Sequence, residues 1–135
     1  MIIIQDKKLR WVLDKAASFE SNKRYKQCIS FLNKYRKYRN ISRIQSLYGF
    51  SYMHLRRYKL AIYRFEKAIR LRNYRPEIFL YLDYVSLAIC HDSTGDFKAA
   101  KRVLEKGLRN CKEKTFLSGA LKIVNKKLKM KNRIK

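Results

Sequence analysis

Small and large apolar residues recur along this chain three times at fixed spacing, and that recurrence constrains the fold more tightly than any composition could. In the central copy Tyr48, Gly49 and Tyr52 are followed by Tyr58, Ala61, Phe65 and Ala68. Ala16, Phe19, Tyr25, Cys28, Leu32 and Tyr35 show the same internal distances 33 residues earlier. Leu87, Ala88 and His91, then Phe97, Ala100, Leu104 and Gly107 beyond a Gly95-Asp96 turn, repeat them 39 residues after the central copy. Steps of three and four residues place these side chains on one helical face. Each copy supplies a small residue where two helices can approach closely (Ala16, Gly49, Ala88), and a second on the partner helix (Cys28, Ala61, Ala100). Large residues fill the space between: Phe19, Tyr52 and His91 on the first helix, Tyr25, Tyr58 and Phe97 opening the second. One such hairpin cannot bury its apolar face alone, so the units must stack, and three units meet the usual minimum.

The rest of the chain agrees with an all-α fold of antiparallel helix-turn-helix repeats. Apolar residues make up 47% of the 135 positions, ample for a core, while four glycines and one proline leave long uninterrupted helical segments. Helices are expected near 7–20, 24–39, 43–55, 57–71, from Pro76 to His91, and from Phe97 through Leu108. Pro76 and Glu77 suit a helical first turn, where proline's missing donor costs nothing. A last helix, about 114–130, places Leu117, Ala120, Leu121, Val124 and Leu128 opposite Lys122, Lys126, Lys127 and Lys129, as a cap with one polar face would. The organisation expected is a single domain over 1–135, with repeats at about 9–40, 42–75 and 76–110, the cap, and a basic tail over 129–135.

The pattern resembles the tetratricopeptide repeat (TPR), a helix-turn-helix unit of about 34 residues reading W-x2-L-G-x2-Y, A-x3-F and then proline. Tyr48-Gly49 with Tyr52, Ala61 with Phe65, and Ala68 carry the likeness most fully. Val12, Gln45 and Tyr84 stand where the family has tryptophan, and Pro76 falls later than the family's proline. The resemblance implies about three units and a capping helix in a short right-handed superhelix, whose first helices line a concave groove. The residues it turns inward include Leu13, Leu47, Phe50, Met53, Leu82, Val85 and Ile89, an apolar partner-binding groove. Family members that hold acidic C-terminal peptides use a clamp of Lys, Asn and Arg; here the matching places carry Leu13, Ala17, Leu47, Leu82 and Ser86, so the groove suits a hydrophobic or amphipathic segment instead. Size and layout are similar to the small TPR chaperones of bacterial type III secretion, which keep membrane-inserting translocator subunits soluble.

Charge is the second strong signal. Lys and Arg number 34 against 10 Asp and Glu, a formal net charge of +24, which attracts acidic partners. Arg56, Arg57 and Lys59, then Arg70, Arg72 and Arg75, then Lys126, Lys127 and Lys129 form the candidate basic surface, with Tyr35, Tyr38, Tyr63 and Tyr74 among such charges. Nucleic acid bound through counterion release and base stacking, an acidic protein, and an anionic membrane surface all remain open as partners. Cys28, Cys90 and Cys111 form no metal-ligand pattern, and Cys90 beside His91 points about 100° away from it on a helix. No phosphate loop or catalytic constellation stands out. The expectation is a non-enzymatic, cytoplasmic protein-binding module without cofactor, metal or small-molecule substrate, at most peripheral to the inner membrane. The alternative is a basic helical repeat that binds RNA through its outer face.

Overall fold

The computed structural model describes residues 6–74 and 76–134, which form seven α-helices and one 3-10 turn with no strand among them. The helices are α1 (Lys7–Ser21), α2 (Tyr25–Asn33), α3 (Ser42–His54), α4 (Tyr58–Leu71), α5 (Ile78–Ser93), α6 (Phe97–Asn110) and α7 (Thr115–Ile134), with the 3-10 turn at Arg36–Tyr38. Two compact units divide the chain, Met1–Asn73 and Tyr74–Lys135. In the first, α1 packs on α2, both pack on α3, and α3 pairs with α4; in the second, α5 pairs with α6, and α7 packs on both.

The repeat is written most plainly in the backbone of the turns. Lys23, Arg56 and Gly95 all take left-handed φ values, 61°, 60° and 82°, and they stand at equivalent places, 33 and 39 residues apart. The next amide reaches back five residues at each turn: Arg24 N–H to Phe19 C=O (2.8 Å), Arg57 to Tyr52 (2.9 Å) and Asp96 to His91 (2.9 Å). A shorter bond accompanies each, Lys23 to Glu20, Arg56 to Met53 and Gly95 to Asp92, at 2.9–3.0 Å. These paired bonds are the Schellman termination, which satisfies the last carbonyls of one helix and turns the chain into the next. Asp96 then caps α6 by accepting the Ala99 N–H at 3.1 Å, as Asp6 caps α1 through Leu9 at 3.0 Å.

Packing follows the spacing of small and large residues. Gly49 faces the fully buried Phe65, whose ring carbons lie 2.7–2.8 Å from where a Cβ would stand. The equivalent positions carry Ala16 and Ala88, and there the facing repeat position holds the smaller Leu32 and Leu104, all buried. Gly107 admits Tyr84 and Leu117 in the same way, with Cβ separations of 3.0–3.1 Å. Cys28 sits at the small-residue position of α2 and donates its thiol to Ala16 C=O at 3.4 Å.

Where the family pattern has tryptophan, each copy buries something different. Val12 is sealed in the core with no polar partner to find. Gln45 donates to Arg39 C=O (2.7 Å) and accepts from the Arg64 guanidinium (3.2 Å). Tyr84 accepts at its hydroxyl from the Asn110 side chain (3.0 Å). A polar clasp also ties the start of α3 to the end of α4: Asn73 accepts from Ser42 N–H (2.6 Å) and donates to Asn40 C=O (2.9 Å).

Three boundaries differ from expectation. The second helix ends at Asn33 instead of near Arg39, and the chain tightens into the 3-10 turn that delivers Tyr38 to the core of the first unit. Lys34, Arg36, Lys37 and Arg39 would place like charges three residues apart on a continued α-helix, which disfavours it. Pro76 precedes α5 instead of opening it, although Phe79 and Leu80 N–H already reach back to Pro76 and Glu77 C=O. The last helix runs on through most of the basic tail, to Ile134.

Candidate partner-binding surfaces

In the first unit α3 is enclosed by α1, α2 and α4, and the enclosure decides which of its residues a partner could touch. Leu47 is fully buried in the core cluster with Ile44, Tyr48 and Val12, so it holds the hairpins together and is withdrawn from the expected groove. Ser46, its neighbour on the same helix, is fully buried and donates to Ser42 C=O at 3.1 Å. Leu13, Phe50 and Met53 are half-buried at the margin of this core. Phe50 meets Phe65 edge-on, with ring centroids 5.2 Å apart, so it both supports α4 and keeps part of its own surface open. His54 stacks on Tyr25 at 4.6 Å, closing the end of the same face.

In the second unit, Leu82 and Val85 are half-buried on α5 and Ile89 is 47% exposed. Ile89 and Phe50 occupy the same repeat position, 39 residues apart. The first unit therefore leaves a large apolar side chain partly open, and the second leaves one exposed, at an equivalent place on a first-helix face.

The basic residues divide into solvated and committed ones. Arg56, Arg57, Lys59, Arg70, Arg72, Lys126 and Lys129 are exposed, whereas Arg75 lies outside the described residues. Lys127 departs from expectation: its ammonium is held by both Asp92 carboxylate oxygens at 2.7 and 2.9 Å, which pins α7 to the end of α5 instead of offering the charge to a partner. Tyr63 stands 52% exposed on α4 beside Arg64, whose guanidinium lies 4.0 Å from the Tyr48 ring centroid.

The thiols are closed to chemistry at the surface. Burial pushes Cys90 up to about 12 and Cys111 up to about 11, and raises Cys28 as well. A thiolate is the nucleophile, so Cys90 beside His91 is a packing residue here. Among the described residues no group of three or more His, Cys, Asp or Glu is placed to hold a metal ion, and no helix is long and apolar enough to cross a membrane.

Two surfaces escaped the sequence reading. Trp11 is 44% exposed on α1, whereas its neighbours Val12 and Ala16 are buried. It meets Phe31 and Tyr35 edge-on at 5.5 and 5.9 Å, with the Lys8 ammonium 4.3 Å from its ring centroid. The capping helix also carries an uncovered apolar line, Phe116, Ile123 and Met130, legible in retrospect as a plain seven-residue spacing.

These features define an all-α protein of repeated helical hairpins closed by a C-terminal helix. No protein-family model matches the chain, and no curated protein matches it.

Proposed function

We propose that this chain is a TPR-like, non-enzymatic protein-binding module, a chaperone or adaptor that seats a hydrophobic or amphipathic segment of a partner on the apolar faces of its first helices. The observation that carries this reading is the recurrence of a large apolar side chain with open surface at one repeat position, the half-buried Phe50 in the first unit and the exposed Ile89 in the second. Leu13 and Met53 extend the face in the first unit, Leu82 and Val85 in the second. Methionine and mixed aliphatic side chains adapt to irregular ligands. The finer form of the proposal is a chaperone of the type III secretion kind, whose cargo is acidic overall, to complement the charge of +24.

The test is capture of partners from the native cell at high salt after nuclease treatment, comparing the wild type with an Ile89→Asp, Met53→Asp variant. Both substitutions lie outside the fully buried core. A partner that survives salt and nuclease and is lost in the variant supports the reading, since apolar contacts are not screened. A partner retained at full yield by the variant overturns it.

A second reading, RNA binding through the outer wall, rests on Tyr63, exposed on the same helix as Lys59 and Arg70 and able to stack on an unpaired base. Loss of all captured material on nuclease treatment, together with weaker binding and a flatter salt dependence after joint replacement of Arg56, Arg57 and Lys59, is its signature.

A further inference from the structure

Helix α7 has two apolar faces, and the hairpin packing uses only one. Leu117 and Val124 are buried, and Leu121 and Leu128 are half-buried beside them on that face. Roughly a quarter-turn or more away stand Phe116, Ile123 and Met130, with 64%, 57% and 61% of their surface open. Their seven-residue spacing drifts only about 20° per step, so the three form one stripe along the helix. The stripe runs about 21 Å at the ordinary helical rise. Tyr81 of α5 stacks on Phe116, with centroids 6.1 Å apart and planes 7° apart, and broadens the apolar surface at that end.

The charges around the stripe are all of one sign. Lys122, Lys126, Lys127, Lys129, Lys131 and Arg133 are the only ionisable side chains of α7. All but Lys127, which is paired with Asp92, are exposed. At 100° per residue, Lys126 and Arg133 fall on one flank of the stripe and Lys131 on the other.

We infer that α7 is an interfacial helix that lays Phe116, Ile123 and Met130 into the headgroup region of an anionic lipid surface. Charge complementarity selects this occupant. The flanking ammonium groups meet lipid phosphates, while their aliphatic stems run along the apolar side chains they border. A nucleic acid takes up the cations but leaves Ile123 and Met130 in water. A second copy of the chain brings another +24 charges against the first. A planar bilayer accepts a straight apolar stripe with no shape to match. The inference is independent of the face proposed for partner capture, because none of its residues lies there.

Co-sedimentation of the full chain with phosphatidylcholine vesicles, with and without phosphatidylglycerol, tests it. Binding to the anionic vesicles is expected to exceed binding to neutral ones by at least about tenfold, from the summed attraction of the cations. An Ile123→Asp, Met130→Asp variant should lose most of that binding with its far-ultraviolet circular dichroism unchanged. In a Trp11→Phe, Ile123→Trp variant, the single tryptophan should shift its emission to the blue on adding anionic vesicles. Equal binding to both vesicle types, full binding by the Asp variant, or an unshifted tryptophan overturns the inference. So does a wild-type protein that ignores vesicles and uses the stripe to hold RNA or an acidic protein.

Discussion

Substituting Gly49 by alanine adds one methyl group where the structure has no room for it. The new Cβ would lie 2.7 Å from Phe65 Cε1 and 2.8 Å from its Cδ1 and Cζ, against an optimum of about 3.5–4.0 Å between carbons. The ring has little freedom to yield: Phe65 is fully buried and edge-on to Phe50. Overpacking of this kind costs about 1–3 kcal/mol, and alanine recovers about 1 kcal/mol over glycine inside a helix. A net loss of up to about 2 kcal/mol follows, a fall of up to roughly 1 M in the urea midpoint. Trp11 is the only tryptophan and belongs to the same unit as Gly49, so its fluorescence reads the unfolding of that unit. The repeat itself supplies the rescue, because Ala16 and Ala88 stand opposite Leu32 and Leu104 where Gly49 stands opposite Phe65. Phe65→Leu should therefore destabilise when made alone, yet restore much of the loss when added to Gly49→Ala, with a coupling of at least about 1 kcal/mol. A stabilising Gly49→Ala, or two effects that simply add, would refute the close-approach argument.

Four further outcomes are expected. Lys23→Gly and Arg56→Gly, which relieve left-handed backbone at φ 61° and 60°, should each raise stability by about 0.5–1 kcal/mol, and Gly95→Ala should lower it by about 1 kcal/mol; thermal melts followed by circular dichroism give the signs. The three buried thiols should resist a disulfide reagent in the native state at neutral pH and react together on unfolding. Cys90, held protonated up to about 12 when folded against an ordinary 9.0, makes stability fall as pH rises above about 9, because only the unfolded thiol ionises there; the limiting slope is about 1.4 kcal/mol per pH unit for each such thiol. Lys127→Met should cost no more than about 1 kcal/mol and shrink the salt sensitivity of melting, since the Asp92 pair is partly exposed.

The hairpins were legible because their periodicity is local: spacing of small and large residues fixes helix pairing, and the turns fall where the pattern breaks. The faces were harder to read. On α3 the run from Ile44 to Gly49 is buried without interruption, so a helix enclosed on several sides shows little amphipathic contrast from which to infer which side faces out. Leu47 was misplaced for that reason, while Phe50 and Met53 are at the margin. The end of α2 depended on Tyr38 finding the core, a contact with residues far along the chain, such as Asp6 at 3.5 Å from its hydroxyl. On α7 the lysines drew attention to polarity and hid the stripe between them. Lys127 shows the converse error, since charge counting cannot reveal that Asp92, 35 residues earlier, is its counter-ion.

Three similar hairpins in one chain invite confusion during folding, because any first helix resembles a partner for any second helix. Gln45 and Tyr84, which stand at one repeat position, supply an address for two of the three. Gln45 is satisfied by Arg64 of α4, and Tyr84 by Asn110 of α6. Were α3 to pair with α6 instead, the repeat would set Val103 where Arg64 belongs, and a buried amide would lose a partner at a cost of about 1–3 kcal/mol. Were α5 to pair with α4, Leu71 would replace Asn110 and the tyrosine hydroxyl would go unmet. Val12, with nothing polar to satisfy, carries no such address. Divergence at one repeat position thus favours a single connectivity among helices that share a spacing pattern.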